Sequence, residues 1–86
     1  MYEIIESKTF RKLKIEKKLY NKIREVIYPQ LRNNPAYGSN IKRLKGNSRD
    51  YHRYRLGSYR LFYMIKNEHV VVSIVDLKHR QNSYKK

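Results

Sequence analysis

A β-hairpin is encoded in the stretch from Tyr51 to Arg60, where polar and apolar residues alternate on both sides of Gly57-Ser58. Glycine at the first central position of a two-residue loop supplies the positive φ that a type II′ turn requires. Such a loop also fixes the register, in which Arg55 faces Arg60. Because side chains alternate between the two faces of a sheet, one face carries three arginines, namely Arg53, Arg55 and Arg60.

Three arginines on one face indicate a missing counter-charge. Like charges directly opposite each other on neighbouring strands are destabilising, so folding alone does not explain the arrangement. A polyanionic partner explains it better. The alternative is a solvated outer face, since most runs of charge face solvent.

The charge of the whole chain favours the same class of partner. Its 86 residues include 21 Lys and Arg against 7 Asp and Glu, a formal net charge of +14. Such a basic excess is typical of proteins that bind nucleic acid, and less often of proteins that bind an anionic membrane or an acidic protein.

Composition also limits the class of protein. The length predicts one domain over residues 1–86. The amino terminus lacks a basic segment followed by an apolar run, and no stretch is long enough to span a membrane, so we expect a cytoplasmic protein. There is no cysteine, and the three histidines are scattered, with His52 and His69 expected at the surface or at strand ends. The sequence therefore predicts no disulfide, no metal site and no cofactor.

The rest of the chain predicts two layers. A first strand is expected over Tyr2–Ile5, then a helical hairpin over about 7–15 and 17–33, with Ser7 as a helix cap. Pro29 is expected to kink or end the second helix one turn early. Further strands are expected at Tyr59–Ile65 and Val70–Leu77, which places Val70, Val72 and Ile74 on the same face as Leu61.

That apolar face must be covered by the helices, which gives a two-layer α+β domain. Tyr54, Tyr59 and Tyr63 share its register and are predicted to be packing residues. The opposite face keeps the arginines beside Phe62 and Met64. A basic rim next to exposed apolar side chains suits a sugar–phosphate backbone on one side and a base on the other.

An ordered set of short motifs resembles the RelE/ParE toxin superfamily of bacterial and archaeal toxin–antitoxin systems. The set comprises Asn34-Pro35, Leu44-Lys45-Gly46, the segment Tyr54–Tyr63, His79-Arg80 and Tyr84. The resemblance covers essentially the whole chain. It implies a RelE-like fold, with an N-terminal strand and a helical hairpin packed on one face of a curved, mainly antiparallel four-stranded sheet.

The resemblance also implies a function. A RelE-type toxin is an endoribonuclease (mRNA interferase) that cleaves mRNA in the ribosomal A site and inhibits translation. The implied partners are the ribosome, mRNA and a small acidic antitoxin, with operator DNA bound only through the toxin–antitoxin complex.

Individual roles follow residue by residue from the resemblance. Arg60 matches the arginine that stabilises the phosphate, and Arg80 matches a second catalytic arginine. Tyr84 matches the tyrosine that stacks on or orients the substrate, a role for which Phe62 is a second candidate. Arg53 and Arg55 fall where relatives carry paired basic residues, one of them a lysine proposed as the base. Arginine stays protonated, so these two are expected to bind RNA phosphate instead.

The proton acceptor must then be another side chain. The nearby carboxylates are not clearly on the arginine side, whereas His79 keeps the parity of Val71, Ser73 and Val75 if the strand is undistorted. We therefore predict that His79 accepts the 2′-hydroxyl proton, with Arg80 or Tyr84 assisting the leaving oxygen. The alternative is that His79 only hydrogen-bonds the chain end, because strand ends often twist or bulge.

Two other functions remain open at this stage. ParE-like toxins share the fold but inhibit DNA gyrase without cleaving RNA, and a fold does not fix a function. A plain RNA- or DNA-binding module is the third possibility. The presence of Arg60, Arg80 and Tyr84 favours the nuclease.

Overall fold

Five strands and a layer of helices make up the part of the chain that the computed structural model describes, residues 1–44 and 51–79. The strands are β1 (Glu3–Glu6), β2 (Ile41–Arg43), β3 (Tyr51–Leu56), β4 (Tyr59–Lys66) and β5 (Val71–His79). The helices are α1 (Lys8–Arg11), α2 (Lys17–Lys22), a π-helical turn (Ile23–Ile27) and α3 (Tyr28–Asn33). None of the helices in these described ranges is long and apolar enough to cross a membrane.

The sheet has the strand order β1-β5-β4-β3-β2. The α+β fold expected from the sequence is confirmed, with one difference in the sheet. The N-terminal strand joins the edge of the sheet in parallel with β5, with Ile4 opposite Val72, and the other pairings are antiparallel. The sheet therefore has five strands rather than four, because β1 joins it as an edge strand and pairs its backbone groups with those of β5.

The register predicted for the β3–β4 hairpin is confirmed. Leu56 lies opposite Tyr59 and Arg55 opposite Arg60. Gly57 has a φ of +58°, and Ser58 does not have a positive φ. This combination identifies the type II′ turn, in which only the first central residue needs the left-handed region.

The second helical segment covers residues 17–33, the range predicted for it. Pro29 does not end it, because a π-helical turn lies immediately before α3 and the helix continues to Asn33. The amide of Tyr28 donates to the carbonyl of Ile23, five residues earlier. The wider turn places Pro29 in the first turn of α3, where its missing N–H and its ring are tolerated.

The first helix is shorter than expected and ends at Arg11. Its predicted cap is confirmed, since the Ser7 hydroxyl accepts the amide of Phe10 at 3.1 Å. Phe10 is buried against the sheet, and Leu13 is half-buried beside the same core. One capped turn is thus enough to place Phe10 before the chain turns toward α2.

The core lies between the helices and one face of the sheet. Its buried members are Phe10, Ile23, Ile27, Tyr28, Leu31, Tyr54, Leu61, Tyr63, Ile65, Val72 and Ile74. The Tyr63 hydroxyl donates to the Pro35 carbonyl at 2.7 Å, and the Tyr54 hydroxyl donates to Gln30 Oε1 at 2.9 Å. These two bonds attach the core face of the sheet to the end of the helical layer. Because α1, α2 and α3 pack on that face, they leave the opposite face of the sheet uncovered.

Candidate nucleic-acid interface

The uncovered face of the sheet carries two rows of side chains, most of them charged. One row crosses three strands and consists of Arg55, Arg60 and Lys78. The next row crosses four strands and consists of Lys42, Arg53, Phe62 and Asp76. We call these seven residues, together with Tyr51, the arginine face.

Charge on the arginine face is strongly unbalanced. Its first row places three cations side by side, and its second row adds Lys42 and Arg53 against the single carboxylate of Asp76. Cross-strand neighbours lie about 4.5–5.5 Å apart at Cβ, so the cations in one row repel each other. A chain of phosphates lying along these rows would offset that repulsion. Basic surfaces that bind RNA are neutralised by phosphates in the same way.

An aromatic pair lies beside the charges. The rings of Tyr51 and Phe62 stack at a centroid distance of 6.3 Å and an interplanar angle of 15°. Both side chains are half-buried, so each keeps part of its ring surface open to a base. The sequence reasoning selected Phe62 and missed Tyr51, although Tyr51 has the same strand parity as Arg53 and Arg55.

A β-bulge in β5 decides which side chains of this strand reach the arginine face. Tyr63 lies opposite Ile74, but Phe62 lies opposite Asp76, which leaves Val75 as the extra residue. Beyond the bulge the alternation is inverted. Asp76 and Lys78 therefore lie on the arginine face, and Leu77 lies opposite buried Leu61 on the helix side.

The predicted position of His79 on the arginine side is wrong, because it assumed a regular strand. His79 lies opposite Tyr59, on the helix side of the sheet. Its ring meets that of Tyr59 edge to face, at 4.9 Å and 89°. The geometric reason for choosing His79 as the proton acceptor is thereby removed.

A similar error concerns the start of β5. Val70 was expected on the core face but lies in the turn after the 3₁₀ segment Asn67–His69, with a left-handed φ of 54° and 43% exposure. His52, predicted to be a surface or strand-end residue, is 4% exposed and stacks on Tyr63. Neither residue therefore lies on the arginine face, since Val70 is in a turn and His52 is in the core.

Two predicted site residues, Arg80 and Tyr84, lie outside the described residues, as do Lys45 and Gly46. Arg53, Arg55, Arg60 and Phe62 all lie on the arginine face as predicted. Within residues 1–44 and 51–79, no group of three His, Asp or Glu side chains is arranged to hold a metal ion.

A polar cluster lies on the helix side of β1, between this strand and the helices. The hydroxyls of Tyr20 and Tyr28 donate to the same oxygen of Glu6, at 2.6 and 2.8 Å. Burial raises the pKa of Tyr28 far above its ordinary value, and the hydrogen bond to Glu6 raises it further. Since all three groups are partnered, this cluster links β1 to the helices.

The sequence and the fold both identify the chain as a toxin of the RelE/ParE superfamily. The family model described as the ParE toxin of the type II toxin–antitoxin system parDE matches residues 4–84. This chain therefore belongs to that toxin family and to the RelE/ParE superfamily. No curated protein sequence is significantly similar to it.

Solved structures support the same superfamily. The RelE of the archaeal RelE–RelB complex from Pyrococcus horikoshii is 27% identical, with a TM-score of 0.76 over 92% of this chain and 94% of that chain. The toxin–antitoxin complex RelBE2 from Mycobacterium tuberculosis gives 27% identity and a TM-score of 0.77 over 92% and 98%. The isolated Escherichia coli RelE toxin, at 21% identity, a TM-score of 0.72 and coverage of 92% and 84%, shares the fold.

Proposed function

We propose that this toxin is an endoribonuclease that cleaves mRNA in the ribosomal A site. The observation that carries the proposal is the row Arg55–Arg60–Lys78, in which three cations lie across three strands. The second row supplies Arg53 and the exposed edge of Phe62 beside it. Phosphate contacts with stacking on an aromatic ring are the usual means of holding single-stranded RNA.

The proposed reaction is metal-free. The 2′-hydroxyl attacks the adjacent phosphorus while the bond to the 5′ oxygen breaks, so negative charge grows on the phosphorane oxygens. Arg60 is central in its row and stabilises that charge, an effect worth about 3–4 kcal/mol for one well-placed donor. Arg53 and Arg55 bind flanking phosphates, and Arg80 and Tyr84 take the roles that the superfamily resemblance implies.

The incomplete set of acids and bases on the arginine face supports ribosome dependence. Arginine and lysine supply charge but stay protonated near neutral pH. Binding to ribosomal RNA holds the mRNA in a geometry close to attack, and positioning of this kind contributes about 7–11 kcal/mol in favourable cases. The site of action is then the ribosome in the cytoplasm.

A small acidic antitoxin is the second proposed partner. The archaeal and mycobacterial relatives were each solved in complex with their antitoxin. An acidic chain that folds on binding would neutralise the two rows of the arginine face and cover the Tyr51–Phe62 pair. Operator DNA is bound through that complex, because the RNA surface of the toxin is occupied in it.

Inhibition of DNA gyrase is the alternative function, favoured by the ParE family to which the chain belongs. A gyrase inhibitor needs a protein surface for its target and has no need for the charges to converge on one phosphate. The two functions therefore differ in their dependence on Arg60.

A two-assay experiment separates these functions. The toxin is added to a reconstituted translation system, and primer extension maps breaks in the mRNA; the same preparation is tested for inhibition of gyrase supercoiling. Codon-aligned breaks that require ribosomes and disappear in Arg60→Gln support the proposal. Lys18→Ala, which removes one exposed charge from α2, is the matched control and should cleave like the wild type. Inhibited supercoiling with intact mRNA would replace the proposal by the alternative.

A further inference from the structure

Asp76 holds an unusual position on the arginine face. It lies opposite Phe62, and Arg60 is its diagonal neighbour on β4. Diagonal neighbours on one face are about 7–8 Å apart, a distance that a long arginine side chain spans. Within the described residues, Glu3 is the other carboxylate on this side of the sheet, and it lies away from the arginines, opposite Val71.

The position of Asp76 is unexpected for its residue type. Aspartate is depleted in strands, and β5 has nine residues with Asp76 well inside them. A regular strand would turn Asp76 toward the helix side, where an unpaired carboxylate is strongly disfavoured. The bulge at Val75 turns it instead toward the rows of cations.

Asp76 is half-buried, and its carboxylate is oriented by the backbone. Its Oδ1 accepts the amide of Leu77 at 2.8 Å. A carboxylate has two oxygens and about four acceptor positions, so this bond leaves acceptor capacity for a substrate hydroxyl. Burial raises the pKa of the neighbouring Tyr51, and the negative charge of Asp76 raises it further.

The proposed cleavage lacks a proton acceptor among the cations. Arg53, Arg55, Arg60 and Lys78 cannot take a proton near neutral pH. A carboxylate can, and it is a common general base in enzymes. Asp76 is the side chain on the arginine face with this chemistry, and it is next to the residue proposed to hold the reacting phosphate.

We infer that Asp76 accepts the proton of the 2′-hydroxyl during mRNA cleavage. In this step the O–H bond of the 2′-hydroxyl breaks and its proton moves to Asp76. The 2′ oxygen forms a bond to phosphorus as the bond to the 5′ oxygen breaks. The 5′ oxygen leaves with a proton from a donor acid or water, which gives a 2′,3′-cyclic phosphate and a 5′-hydroxyl. The inference rests on the proposed endoribonuclease activity.

A purely structural role is the competing explanation. Asp76 also offsets part of the positive charge in its row, so its removal could disturb the positions of Arg53 and Arg60. Such a disturbance would weaken RNA binding and cleavage together. Loss of the proton acceptor has a different effect, because removing a negative charge from a phosphate-binding surface leaves binding equal or tighter while cleavage slows.

The decisive comparison uses Asp76→Asn, which keeps the shape and removes the base. Single-turnover cleavage on programmed ribosomes and binding to the same ribosomes are measured for the wild type, Asp76→Asn and Asp76→Glu. We expect Asp76→Asn to cleave about 10²–10⁴-fold more slowly with equal or tighter binding, and Asp76→Glu to recover part of the rate. Glu68→Gln removes a carboxylate from the exposed turn and is the matched control.

A rescue experiment adds an independent readout. In Asp76→Ala, the cleavage rate should rise with the concentration of imidazole free base, because a small base replaces the missing acceptor. Cleavage by Asp76→Asn within a few-fold of the wild type, a parallel loss of binding, or no response to imidazole would each overturn the inference. These outcomes leave wild-type cleavage intact, whereas a wild type that cannot cleave on ribosomes refutes the proposed function itself.

Discussion

Arg55 and Arg60 form a directly opposed pair of like charges across β3 and β4. Lys78 extends this pair on the far side of Arg60. Repulsion between these neighbouring cations lowers the stability of the folded protein. The same concentration of positive charge favours the binding of an anion. Stability and activity are therefore expected to respond in opposite directions when Arg60 changes.

Arg60→Gln should leave the protein as stable as the wild type or more stable by about 0.2–1 kcal/mol, because it relieves repulsion on both sides of Arg60. The same change should abolish growth arrest. Urea unfolding gives the stability, and induction in cells without the antitoxin gives the toxicity. A variant that is clearly less stable than Lys18→Ala would show that Arg60 has a structural role.

Deleting Val75 should be tolerated. Val75 is the extra residue of the bulge, so its removal gives a regular strand that keeps Leu77 opposite Leu61 and Asp76 opposite Phe62. Deleting Leu77 should prevent folding, because either Asp76 or Lys78 must then face the core. Circular dichroism and thermal unfolding of the two deletions provide the test. Equal loss of folding in both would contradict the assigned position of the bulge.

Two buried rings that touch each other should respond with opposite signs. His52 stacks on Tyr63 at 5.7 Å, and its Nδ1 is buried without a hydrogen-bond partner in the described structure. His52→Phe keeps an aromatic ring at this position and removes the unsatisfied polar atom, so it should be neutral or stabilising. Tyr63→Phe removes the bond to the Pro35 carbonyl and should cost about 1–3 kcal/mol. Denaturant midpoints compare them, and a large loss for His52→Phe would reveal a needed imidazole.

Alkaline pH should destabilise the protein through Tyr28. Burial and the hydrogen bond to Glu6 raise its pKa in the folded state. The unfolded chain then ionises first, so this stabilisation is fully present below about pH 10 and declines as the pH rises further. For one titrating group, the free energy of unfolding falls by at most about 1.4 kcal/mol per pH unit. Tyr28→Phe should flatten the decline in unfolding experiments, and an unchanged pH dependence would contradict the assignment.

Much of the fold was predictable because its signals are local. Gly57-Ser58 fixes the hairpin register, and Ser7 caps α1 through its own side chain. The same hairpin register placed Arg53, Arg55, Arg60 and Phe62 on one face. Patterns of this kind depend on the geometry of a few consecutive residues and so can be recognised without the tertiary structure.

Two of the errors share a physical origin, which is the insertion of one extra residue into a regular element. The bulge at Val75 reversed the parity of β5 and moved His79 away from the arginine face. The π-helical turn at Ile23–Ile27 absorbed Pro29 without ending the helix. The spacing of Ile74 and Leu77, three residues apart on the core side, was the signal for the bulge, since a regular strand repeats every two residues. The pairing of β1 with β5 joins two segments that are far apart in the sequence, so no pattern of neighbouring residues indicated it.

Both edges of the sheet are short as described, with four residues in β1 and three in β2. Both carry charged side chains, among them Glu3 and Glu6 on β1 and Lys42 and Arg43 on β2. Short, charged edge strands are poor templates for strand pairing between copies of a protein. Free toxin molecules released at high local concentration should therefore resist self-association through their sheets, which leaves the arginine face of each molecule available to a target.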